Sequence, residues 1–131
     1  MKKITLFAIG ICTIVVGAFQ LLGGPQEPGR EPPLKSFMLL KLEHAKGILG
    51  GLATEDFESI AKNAQALKGL SLESSWNRLT TTKYLQHSSD FRTALTTITE
   101  AAHEKNLDRA ALGYVNLTLQ CIECHRYLRH Q

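Results

Sequence analysis

The stretch that decides the fold reads Leu112-Gly113-Tyr114-Val115-Asn116-Leu117-Thr118-Leu119-Gln120-Cys121-Ile122-Glu123-Cys124-His125, residues 112 to 125. Leu112, Val115, Leu119 and Ile122 follow one another at intervals of 3, 4 and 3 residues. That repeat lines one face of an α-helix and is incompatible with the two-residue alternation of a strand. Asn106 and Asp108 upstream supply a break and a new cap, so the helix is expected to run on to about Arg129. Gly113 inside it costs about 1 kcal/mol of helix propensity relative to alanine. Close approach of a neighbouring helix is the expected reason for it.

The same period extends upstream. Between Lys35 and Leu52, Met38, Leu42, Ala45, Leu49 and Leu52 form a stripe that Phe37 and Ile48 widen. A second helix is expected from an N-cap at Thr54, with Glu55 and Asp56 near its positive end and Phe57, Ile60, Ala61, Ala64 and Leu67 on its buried side. Gly69 and Ser71 end it. Residues Leu72 to Ser88 are less regular, with Trp76, Leu79, Tyr84 and Leu85 as anchors onto the core. A third helix is expected near Ser89, burying Phe91, Leu95, Ile98 and Ala102. Four amphipathic helices with mostly short connections define an all-α fold, an antiparallel four-helix bundle whose last helix carries the cysteines.

The 131 residues allow a single domain, expected at residues 34–131. Met1-Lys2-Lys3, an apolar run from Ile4 to Val16, and the small residues Gly17 and Ala18 are the three parts of a secretory signal over residues 1–18. The alternative is an uncleaved membrane anchor continuing to about Leu22, against which Gln20 and the glycines at 10, 17, 23 and 24 weigh. Cys12, inside this run, lacks the small preceding residue of a lipoprotein signal and reads as apolar filler. Residues 19–33 hold all four prolines and read as a linker. Either reading places the domain outside the cytoplasm, in a periplasm or its equivalent. Without Lys2 and Lys3, the 15 basic residues fall to 13 against 12 acidic ones. With no basic block either, nucleic acid is excluded as the expected partner.

Only Cys121 and Cys124 then remain as cysteines, in Cys121-Ile122-Glu123-Cys124-His125. Residues three apart lie on the same side of a helix, one turn apart. Two thiols so placed can add to the two vinyl groups of one porphyrin edge, and the adjacent imidazole of His125 can reach the iron. C-x-x-C-H is the attachment signature of c-type haem, so one covalent haem c is the expected cofactor. A thioredoxin-like redox pair lacks its β-α-β context here. A zinc site lacks a second pair of ligands, and a disulfide across three residues of continuous helix has poor geometry.

With these residues in view, the chain resembles the class II c-type cytochromes, the group containing cytochrome c prime and the cytochromes c-556. Their pattern C-x-x-C-H-x-x-(Phe/Tyr)-(Arg/Lys) is matched by Cys121, Cys124, His125 and Arg129. It departs at Leu128, with Tyr127 one place early. The resemblance implies an exported four-helix bundle with haem near the C-terminus, and a second axial position filled from the first helix. In the cytochromes c-556 that ligand is methionine; in cytochrome c prime a bulky apolar residue leaves iron free for a small gas.

Met38, the only methionine besides the initiator, opens the first helix's stripe and is the candidate distal ligand. Core filler is its plainer role, and Leu39 or Leu42 could hold the distal position instead. His44, His87, His103 and His130 are expected at the surface. Arg126 and Arg129 are candidate contacts for the haem propionates, or compensate the helix C-terminus; Lys41 is a further candidate. No acid/base pair or nucleophile suggests an enzyme. The expected activity is electron transfer with redox partner proteins, the alternative a five-coordinate module binding NO or CO. A homodimer is compatible with the resemblance.

Overall fold

The computed structural model describes residues 34–73 and 76–130, so the apolar N-terminal run, the linker and Cys12 lie outside the described residues. Four helices account for almost all of it: α1 (Leu34–Thr54), α2 (Phe57–Leu70), α3 (Thr82–His103) and α4 (Leu107–Arg129). Among the described residues there is no strand, and no helix is long and apolar enough to cross a membrane. The helices pack as an all-α four-helix bundle. Contact is extensive between α1 and α2, α2 and α3, and α3 and α4, and sparse between α1 and α4.

Two turns at one end are built alike. Glu55 and Lys105 both take a left-handed backbone, φ 55° and 54°. The following amide reaches back into the preceding helix, Asp56 N to Gly51 O at 2.9 Å and Asn106 N to Ala101 O at 2.9 Å. These bonds satisfy carbonyls that a helix end leaves free. Asp56 and Asn106 then cap the next helix, accepting from Ser59 N at 2.9 Å and Arg109 N at 3.0 Å. The cap of α2 is therefore Asp56, two residues beyond the expected Thr54, which instead ends α1.

The core is formed by Phe37, Ile48, Ile60, Ala64, Leu67, Leu95, Ile98 and Leu117, among others. Gly113 does mark a close approach: a Cβ there would stand 2.8 Å from Ile98 Cγ1. The expected apolar face of α4 is corrected. Ala110, Gly113 and Leu117 are buried, while Leu112, Val115, Leu119 and Ile122 are 72%, 57%, 51% and 45% exposed. Leu117 apart, the inner face is made of small residues, which carry less of the periodic signal than the aliphatics behind them. Leu42 and Leu49 on α1 and Leu85 on α3 are likewise exposed, leaving Phe37 and Ile48 to anchor α1.

Helix α3 begins at Thr82, not near Ser89. Thr81 caps it, its hydroxyl accepting from Tyr84 N at 3.3 Å. The roughly two extra turns have a structural purpose. They bury Tyr84, His87 and Ser88, and Ser88 accepts a hydrogen bond from Trp76 Nε1 at 2.9 Å. The Tyr84 hydroxyl donates to the Trp76 carbonyl, so the α2–α3 connection is held down by two buried polar contacts.

Candidate functional site

Where α1 and α4 part, a cleft of about 160 Å³ runs into the bundle. Met38, Lys41, Leu42 and Ala45 of α1 form one wall, and Gln120, Cys121, Cys124, His125 and Leu128 of α4 the other. Tyr84, His87 and Phe91 of α3, with Leu67 and Trp76, close the inner side. Among the described residues, no carboxylate lines it.

The cleft gathers residues that lie far apart in the sequence. Cys121, Cys124 and His125 share it with Met38, although more than eighty residues separate Met38 from the motif. Both cysteines are free thiols and partly buried. Burial raises the pKa of each, and the nearby Lys41 ammonium opposes that rise. His125 stands at the mouth; partial burial, then Lys41 and Arg129, hold its pKa below the ordinary imidazole value. Among the described residues, no three His, Cys, Asp or Glu side chains converge to hold a metal ion directly.

Lys41 is the cation of the cleft. Its Nζ lies 3.6 Å from the centroid of the Trp76 ring and 5.3 Å from that of Phe91. It also approaches Met38 Sδ at 3.6 Å. Trp76 and Phe91 themselves pack with centroids 4.8 Å apart. Burial is the largest influence on Lys41 and lowers its pKa to about 8. The cation–π contact offsets part of the cost of desolvating the ammonium, an effect worth about 0.5–2 kcal/mol in general.

His87 departs most from expectation. It is 6% exposed rather than at the surface, and its ring packs against Tyr127 with centroids 5.6 Å apart. Its Nε2 and the Oε1 of Gln120 are buried without a hydrogen-bond partner among the described residues. Both residues line the cleft. Unpaired buried polar atoms are uncommon, and two around one space mark a site that would accept a polar ligand group. The burial of His87 has a sequence signal: counted back four residues from Phe91, it shares that residue's face once α3 is allowed to start at Thr82. His44 is also drawn inward, its Nδ1 3.1 Å from Asn63 Oδ1.

Arg126 and Arg129 are exposed and do not line the cleft. Arg126 borders an adjoining surface groove with Lys83, Glu123, Tyr127 and His130, and His87 lines both spaces. At the point where the motif departs from the family pattern, Leu128 faces the cleft. Tyr127 ties the end of α4 to the start of α3 through a 2.8 Å bond between its hydroxyl and that of Thr81. Comparison of the chain with family models, with curated proteins and with solved structures returned no match.

Proposed function

We propose that the cleft carries one haem c, joined through thioethers to Cys121 and Cys124 and ligated by His125, in an exported electron-transfer protein. The observation that carries this reading is that one cleft is bordered by both thiols, the histidine that follows them and the lone methionine of the domain. The lining fits the group. Leu42, Ala45, Leu67, Trp76, Phe91 and Leu128 offer apolar and aromatic surface to a flat macrocycle. His87 and Gln120 have unpaired polar atoms there, and Lys41 supplies positive charge for a carboxylate edge.

Once bound, haem iron supplies a one-electron couple, whose potential depends on axial ligands, burial and local hydrogen bonds. The chain's part is to hold and tune it. His125 gives an imidazole from α4. Met38 offers a thioether from the opposite wall, at present next to Lys41 Nζ. Lys41, rather than Arg126 or Arg129, is the cation that would hold a propionate, because it lines the cleft and they do not. No side chain is assigned a proton transfer to substrate, and the expected partners are redox proteins.

Absorption spectra of the exported protein, oxidised and reduced, test the reading. Low-spin bands with a methionine-to-iron charge-transfer feature, lost in Met38→Ala, are expected. A high-spin spectrum that shifts promptly with carbon monoxide would replace electron transfer by binding of a small gas. A preparation without pigment from a maturation-competent host would remove both.

A further inference from the structure

Helix α4 has two apolar faces, and the bundle uses one. At 100° per residue, the stripe Leu112, Val115, Leu119, Ile122 lies about 180° from the buried line through Ala110, Gly113 and Leu117. Its four side chains are 45% to 72% exposed. Aliphatics at spacings of 3, 4 and 3 along a solvent-facing ridge are the pattern with which one helix meets another. A contiguous exposed patch of this kind marks an interaction surface.

The stripe also states which partner it fits. Extended by four residues each way, it begins at Asp108 and ends at Arg126. The intervals 4, 3, 4, 3, 4 read the same in both directions. A second copy of α4 laid antiparallel about a two-fold axis level with Leu117 therefore sets Leu112 opposite Ile122 and Val115 opposite Leu119, each twice. At both ends it sets Asp108 opposite Arg126. Self-complementarity of this kind is what a two-fold symmetric interface requires. Asp108 and Arg126 are exposed, and neither takes part in the ion pairs within the chain among the described residues. Their positions in the first and last turns also suit the helix dipole, but the dipole does not place them on the line of the aliphatics.

We infer that α4 pairs antiparallel with α4 of a second copy of this chain, through Leu112, Val115, Leu119 and Ile122, closed at each end by an Asp108–Arg126 ion pair. The pairing leaves the inner face, with Cys121 and Cys124, to the cleft, so it stands whether or not haem is bound.

Sedimentation velocity of the purified full-length chain, over a wide concentration range, tests it. A monomer–dimer equilibrium is expected, with the dimer lost in Leu119→Glu while the circular dichroism of the helices is kept. Asp108→Arg and Arg126→Asp should each raise the dissociation constant by about tenfold or more. The double exchange should bring it back near the parent value, even though reversed charges at both helix ends oppose the dipole. A chain that stays monomeric throughout overturns the inference, as does a dimer or larger assembly indifferent to Leu119→Glu, or a double exchange no better than the singles.

Discussion

The two ends of this bundle spend their apolar residues differently. At one end, two short turns with left-handed Glu55 and Lys105 pull the helices together, and Gly113 lets α4 come against Ile98 with no room for a methyl group. At the other, the connection through Trp76 is longer, α1 and α4 part, and the aromatic and aliphatic side chains line a space instead of filling it. Interiors are normally packed to crystal density. This bundle closes one end and leaves the other open, and the thiols and His125 are at that open end.

The largest expected effect lies at the open end. Cys121→Ala with Cys124→Ala should abolish covalent pigment in protein from a maturation-competent host, as read by haem staining after denaturing electrophoresis, while leaving the helices formed. Retained stain would break the assignment. At the closed end, Gly113→Leu should cost about 1–3 kcal/mol in denaturant unfolding, because the new side chain must displace Ile98. A neutral result would mean that this end is looser than its geometry. Asn106→Ala should cost about 1 kcal/mol by leaving Arg109 N without its cap.

A pH dependence is also expected at the open end. Lys41 falls from an ordinary value of 10.5 to about 8 in the folded chain. The unfolded chain therefore binds more protons between those values, and stability rises with pH there. The raised thiol pKa values act in the opposite sense, since the unfolded chain loses those protons first. The effect is best isolated in unloaded Cys121→Ala/Cys124→Ala protein. Its urea midpoint should climb from about pH 8 towards pH 10, and Lys41→Met should flatten that climb. A climb of equal size in Lys41→Met would place its origin elsewhere.

Helix number and order were legible because Met38 to Leu52, Phe57 to Leu67 and Phe91 to Ala102 carry clear helical periods. The motif itself was legible as well, being local in sequence. What escaped was orientation. On α4 most of the aliphatics that shape the pattern face outward, while the face turned inward is built, Leu117 apart, from Ala110, Gly113 and the cysteines, whose small side chains weigh little in a periodicity. His87 was missed because its neighbours Gln86 and Ser89 are polar and its helix begins seven residues earlier than the apolar pattern announces. Lys41 reads as a surface lysine until the ring of Trp76, thirty-five residues away, is brought beneath it. Such long-range pairings are set by tertiary packing, which a single sequence does not display.

Intact-mass spectrometry of the protein purified from a host able to mature c-type cytochromes tests the central claim most directly. The account predicts a chain heavier by one haem, with the added mass retained under denaturing conditions and assigned by fragmentation to the peptide holding Cys121 and Cys124. A chain of unmodified mass, or haem that leaves on denaturation, would contradict it.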